Sequence, residues 1–232
     1  MGTPRSTYRP VMTSAELIAD LRSRKNPLNV AGQRRFGITP KTEQLGIAIP
    51  YLRQLARAHR KNHALALELW SSGIHEARLL AAFIDDPKKV SRSQMDAWAR
   101  SFDSWDICDQ VCSNLFDCTP FALQKVHQWS GKQGEFVKRA GFVLMAALAI
   151  HAKNLPDDVF VGFLPIIRRE ATDDRNFVRK AVNWALRQIG KRNPRLRRAA
   201  IAESKAITKI DSRAARWIAK DALRELQAIH SA

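Results

Sequence analysis

Acidic residues are scarce in this chain. Over 232 residues, 22 Asp+Glu stand against 39 Lys+Arg, leaving a formal net charge of +17 and a sequence pI near 10.5. So large an imbalance points to a polyanionic partner before any motif is read. Long apolar runs are also missing. The longest uncharged one, Phe142 to Ile150, is less than half of the roughly 20 residues that span a bilayer, so no membrane contact is expected. The first ten residues hold two Arg and two Pro with no apolar run behind them, which argues against a secretory signal and for a cytoplasmic protein. Gly2 with Ser6 fits a loose myristoylation pattern, which is too short and common to carry a lipid anchor. Cysteine is limited to Cys108, Cys112 and Cys118, an odd count without a CxxC pair, and the six histidines are scattered singly. A disulfide framework, a metal site and a cofactor are therefore not expected, and the thiols read as reduced and mostly buried. Strand-type alternation is absent, as is any Gly/Ser linker that would divide the chain.

What remains is a globular mixture, 45% hydrophobic and 26% charged, with apolar residues recurring at i, i+3, i+4 and i+7 almost throughout. The fold class is all-α. Thr13 with Glu16 makes a capping-box pattern, and Pro50, Pro87, Pro120, Pro156 and Pro194 lie where helices can begin. The predicted helices of the first half are 14–24, 28–36, 50–60, 64–72, 75–84, 92–101, 104–116 and 121–130. Those of the second half are 135–152, 157–170, 176–192, 195–208 and 212–230, with Pro165 expected to kink or split its helix. Short helices joined by brief turns suggest stacked antiparallel pairs, and a pair recurring about every 40 residues suits a HEAT-like helical-repeat solenoid. A compact irregular bundle is the alternative. The expected organisation is a flexible N-terminal extension over 1–12, followed by a single HEAT-like domain over 13–232.

The positive charge is not evenly spread. Between Asn176 and Arg198 lie Arg179, Lys180, Arg187, Lys191, Arg192, Arg195, Arg197 and Arg198, with no acid in the segment. Such a run is commonly a solvated face. At about 100° per residue, however, Val178, Val182, Ala185, Leu186 and Ile189 cluster as the buried stripe, while Trp184 projects among Lys180, Arg187 and Lys191. An aromatic among cations suits a nucleic-acid backbone. The other reading is that Trp184 packs beneath a neighbouring repeat.

Two further positions break local rules. Trp105 and Asp109 are four apart, on one helix face. Asp106 is accounted for by the helix dipole, with Asp103 as the expected N-cap, but Asp109 lies beyond the first turn and capping does not explain it. It is either a plain surface carboxylate or a functional one. Arg139 enters a helix that is apolar nearly all round, with Phe142, Val143, Leu144, Met145, Leu148 and Ile150. A guanidinium there needs an anion, from a structural carboxylate or from a ligand phosphate.

The chain resembles the bacterial DNA alkylation repair family of HEAT-like DNA glycosylases, the AlkD type. The resemblance covers most of its length. It is carried by Phe36-Gly37-Ile38, Pro50-Tyr51-Leu52-Arg53 with Leu55-Ala56, Leu69-Trp70, Trp105 to Asp109, Lys138-Arg139-Ala140 and Phe177 through Arg187. It implies a positive concave groove of helical repeats that holds duplex DNA and excises a lesion without flipping the base into a pocket. By the same resemblance, Trp105 and Trp184 match the aromatic pair on the backbone sugars, Asp109 the catalytic carboxylate and Arg139 a DNA-contacting arginine. Lys180, Arg187 and Lys191 join Arg139 as expected DNA-binding residues. The segment Lys153 to Asn176 is longer than the family's usual connection.

The implied activity is hydrolysis of the N-glycosidic bond of cationic N3- or N7-alkylated purines in duplex DNA. The expected partner is double-stranded DNA containing alkylated bases, used by a monomer in the nucleoid without metal or small-molecule cofactor. Two rivals share the scaffold: a non-catalytic binder of duplex or branched DNA, and a helical adaptor for an acidic protein. A tryptophan on the basic face favours DNA, and the Trp105/Asp109 pair favours catalysis.

Overall fold

A computed structural model describes residues 12–229. The expected extension over 1–12, Met12 excepted, and the Gly2/Ser6 pattern lie outside the described residues. The chain forms two compact units, Met1–Ser91 and Arg92–Ala232, each described here by itself.

In the first unit, α1 (Ser14–Ser23) starts at the capping box read from the sequence. Thr13 Oγ1 accepts from the Glu16 N–H at 3.3 Å, and Glu16 Oε2 accepts from the Thr13 N–H at 2.8 Å. Helix α2 (Pro27–Arg35) follows an Asn26 cap with Pro27 in its first turn, and α3 (Ile49–His59) carries Pro50 likewise. Asn62 caps α4 (His63–Ser71), and α5 (His75–Ile84) is buried at every position except Phe83. The fully buried Glu76 of α5 accepts from the N–H groups of Leu45, Gly46 and Ile47 at 2.9, 2.6 and 3.3 Å. This carboxylate fixes the connection before α3, where Gly46 adopts φ +79° and a Cβ would meet the Asn26 carbonyl at 2.4 Å.

The second unit comprises α6 (Arg92–Arg100), α7 (Trp105–Asn114), a 3-10 turn at Phe116–Cys118, and α8 (Ala122–Trp129). It continues through α9 (Glu135–His151), α10 (Asp157–Arg169), α11 (Asn176–Lys191), α12 (Pro194–Thr208) and α13 (Arg213–Ala228). Helix α9 is its axis, buried without interruption from Lys138 to Ala149 and packed against α6, α7, α8 and α11. Ile150, expected in that core, is 37% exposed because the last turn of α9 runs past the packed region. Helix α11 packs on both α9 and α13, while α10 packs on α12. Alternate helices thus form two rows, and α7, α9, α11 and α13 make one of them. That is the arrangement of stacked helical repeats, and no strand occurs among the described residues beyond one isolated bridge between Glu43 and Ile74.

The buried stripe read for α11 holds, since Val178, Val182, Ala185, Leu186 and Ile189 are all fully buried. Pro165 does not split α10. The residue one turn before it, Val161, is 37% exposed, so the missing hydrogen bond lies on the solvent side of the helix, where it costs least, and the helix continues. The N-cap of α7 is Ser104 rather than Asp103, and its hydroxyl donates to Asp106 Oδ1 at 2.5 Å.

Candidate nucleic-acid interface

The row α7–α9–α11–α13 brings together residues that are up to 112 positions apart in the sequence. Asp109, Arg139, Lys180, Asn183, Trp184, Arg187, Trp217 and Asp221 line one cleft of about 380 Å³. In its lining the Arg139 guanidinium grips the Asp109 carboxylate through two bonds, Nε to Oδ1 at 2.8 Å and one terminal nitrogen to Oδ2 at 2.7 Å. The other terminal nitrogen donates to the Phe177 carbonyl at 2.5 Å. Of the two partners left open for Arg139 by its sequence, the structure supplies the carboxylate. Only 6% of Arg139 is exposed. Burial would lower the Arg139 pKa, but the Asp109 charge and hydrogen bonds outweigh it and raise it. For Asp109 itself, burial pushes the carboxyl above its ordinary value while the Arg139 charge and hydrogen bonds pull it down.

Five of the seven residues singled out from the sequence meet here: Asp109, Arg139, Lys180, Trp184 and Arg187. Trp184 is half-buried, and Lys180 is exposed and has no ion-pair partner among the described residues. Trp105 stands at the first position of α7, one turn before Asp109, and is half-buried but not among the residues lining the cleft. Lys191 lies outside the lining too. Its ammonium pairs with Glu225, as does Arg187, which also approaches Asp221 at 3.7 Å. Arg195 pairs with Asp158 at 2.6 Å. Cations with no acid in their own segment thus find acids on α13 and α10, because packing pairs faces that the linear sequence keeps apart.

Trp217 and Asp221 are absent from the residues that the sequence singles out, although they repeat a visible signal. Trp217-x-x-x-Asp221 on α13 has the spacing of Trp105-x-x-x-Asp109 on α7. Trp217 is 38% exposed, with the Arg179 guanidinium 4.8 Å from its ring centre.

A larger recess of about 630 Å³ lies among α6, α8 and the start of α9. Its carboxylate, Asp96, is held by Lys125 at 2.8 Å and by the Trp129 indole at 3.0 Å, and the recess contains none of the seven residues singled out from the sequence. Nor do the cysteines suggest catalysis. Cys108 and Cys112 are buried, burial holds the Cys112 thiol well above its usual range, and burial together with Asp117 raises Cys118 to about 11. No group of three or more His, Cys, Asp or Glu able to hold a metal occurs among the described residues, and no described helix is long and apolar enough to cross a membrane.

An uncharacterized protein of Listeria innocua, Lin0241, is 23% identical over 203 residues, covering 86% of this chain and 88% of its own. One solved structure superposes with a TM-score of 0.76 at 18% identity, covering 92% of this chain and 95% of the other. It is described as a new family of proteins related to the HEAT-like repeat DNA glycosylases with affinity for branched DNA structures. The fold is therefore of the HEAT-like repeat kind. The family model for DNA alkylation repair enzymes matches residues 17–226, and the chain belongs to that family.

Proposed function

We propose that the protein is a DNA glycosylase that hydrolyses the N-glycosidic bond of cationic N3- or N7-alkylated purines in duplex DNA, without flipping the base into a pocket. The observation that carries this reading is a carboxylate, Asp109, held by Arg139 in a cleft that also contains Trp184 and the exposed Lys180. An alkylated purine that already carries positive charge leaves readily, so little general-acid help is required. The deoxyribose then takes on oxocarbenium character. A fixed carboxylate facing C1′ stabilises that cation and orients the attacking water, taking its proton as the new C1′–O bond forms. Arg139 occupies one side of the carboxylate and fixes its direction. Trp184 offers an aromatic face to the cationic sugar, and Lys180 a charge to the neighbouring phosphate.

The test is release of purine from methylated duplex DNA at fixed salt. Wild type is expected to release it well above the spontaneous rate. Asp109→Asn is expected to lose roughly 10²–10³-fold, the scale of removing one group that stabilises transition-state charge. Release no faster than the spontaneous rate, with DNA still bound, would sink the enzymatic reading. A second reading then stands, a non-catalytic binder of branched DNA, favoured by the branched-DNA affinity ascribed to the structural relative. Tighter binding of a four-way junction than of a linear duplex would support it.

A further inference from the structure

Helix α13 places an indole where the fold does not require one. Its buried stripe is Ala214, Ala215, Ile218, Ala219, Ala222 and Leu226. At 100° per residue Trp217 stands 100° or more from five of these six, beside Asp221 and Lys220 instead. A tryptophan that packing could have buried is left 38% exposed, on the wall of the cleft that contains Asp109. Two contacts define that wall. Arg179 lies over the Trp217 ring and limits its rotation, and the Asn183 amide of α11 donates to the Ile218 carbonyl at 3.1 Å, joining the helices that carry Trp184 and Trp217. One turn beyond Trp217, Asp221 adds a second carboxylate to the lining, ion-paired to Arg187 and Arg224.

We propose that Trp217 is a substrate-contacting residue. It forms the α13 wall of the open cleft, and the cationic deoxyribose of the damaged nucleotide is held against Trp184, Trp217, Asp109 and Asp221. This deepens the glycosylase reading and rests on it. The chemistry is that of a cation surrounded by π faces and carboxylates. Aromatic rings attract a cation far more than a neutral sugar of the same shape, and the two acids, each ion-paired to an arginine, bring carboxylate oxygens to the same cleft without making it net negative. The cleft's volume of about 380 Å³ lies near the lower end of ligand sites, which run from roughly 300 to 1,000 Å³. It suits a sugar and its flanking phosphate, leaving the base outside. Trp217 thereby selects charge on the sugar rather than the identity of the base.

The experiment compares two duplexes that differ in one sugar analogue: a pyrrolidine, cationic at neutral pH, and a tetrahydrofuran, neutral and nearly isosteric. Wild type is expected to bind the pyrrolidine duplex more tightly. Trp217→Ala is expected to reduce that preference about 3- to 30-fold while leaving tetrahydrofuran affinity within about twofold, and Trp217→Phe to retain most of the preference. The same ordering is expected for single-turnover release from methylated DNA. Equal losses on both analogues would make Trp217 a general DNA contact and overturn the proposal, as would an unchanged preference in Trp217→Ala with a wild-type melting temperature. A failed glycosylase reading is recognised separately, by absence of purine release from wild type. If the cationic preference and its dependence on Trp217 persist there, the aromatic sugar contact stands without the chemistry.

Discussion

The Arg139 guanidinium is bound side-on to Asp109, with 2.8 and 2.7 Å bonds to its two carboxylate oxygens, while its third nitrogen reaches the Phe177 carbonyl of α11. One side chain therefore joins α7, α9 and α11.

Arg139→Ala should leave a buried carboxylate without its partner. The expected cost is about 3–5 kcal/mol of stability, the scale of breaking a buried ion pair from one side. Arg139→Lys should recover part of this, because an ammonium retains the charge but not the paired geometry. Urea unfolding of the two variants measures the difference. Stability within about 1 kcal/mol of wild type for Arg139→Ala would show that the pair adds nothing net.

Asp173 gives the second unit a predictable acid response. Burial works against its charge, but hydrogen bonds from Arg175 and Lys138 prevail and hold it at about 2, below the ordinary 3.8. A depressed folded-state pKa means stability fully present above about pH 4 and lost as pH falls through 2. Asp173→Asn should lower stability at pH 6 by an amount on the order of 1 kcal/mol, the linkage effect reduced by solvent screening, and leave it nearly unchanged at pH 2. Melting temperatures of both proteins across that range test this, and parallel curves would refute it.

Gly141 sits where α9 crosses the end of α8. A Cβ built there would lie 2.6 Å from the Ser130 nitrogen and 2.9 Å from its Cα, both backbone atoms that cannot swing aside. Gly141→Ala, which raises helix propensity by roughly 1 kcal/mol, should nevertheless destabilise by about 1–3 kcal/mol through overpacking. Gly162, with nothing within 4 Å of its would-be Cβ, is the control, and Gly162→Ala should be neutral or stabilising. A thermal melt showing the opposite order would disprove the close approach.

Charge pairing separates two lysines that look equivalent in the sequence. Lys180 is exposed with no ion-pair partner among the described residues, whereas Lys191 is bound to Glu225. Lys180→Ala should lower the slope of log K against log salt for DNA binding by about one counterion. Lys191→Ala should lower it by less, since its charge is already partly spent on Glu225. Identical slopes for both variants would contradict this ranking.

How much of this was legible depended on distance along the chain. The capping box at Thr13 and Glu16 and the buried stripe of α11 are local patterns, and both stand as read. Asp109 and Arg139 were each conspicuous as a polar group that its own helix could not explain. Their pairing was not visible, because 30 residues separate them and only packing of α7 on α9 brings them together. The acid-free segment from Asn176 to Arg198 suggested a bare cationic face. Asp221 and Glu225, on the next helix in the row, remove part of that charge. Trp217 shares its helix with Asp221 and Glu225, unlike Trp184 in its acid-free segment, and only the structure shows that the two tryptophans line one cleft.

The threefold grip of Arg139 also bears on the mechanics of the site. A carboxylate tied through one guanidinium to α9 and to the first turn of α11 has no independent swing, since turning it means shifting helices whose cores are close-packed. Under the proposed glycosylase reading, the adjustment that would bring C1′ to Asp109 falls to the nucleic acid, which would have to bend or shift its backbone towards a fixed point. Under the same reading, ease of deformation at the damaged step, a property of the DNA sequence and of lost base stacking, would enter recognition without any contact to a base edge.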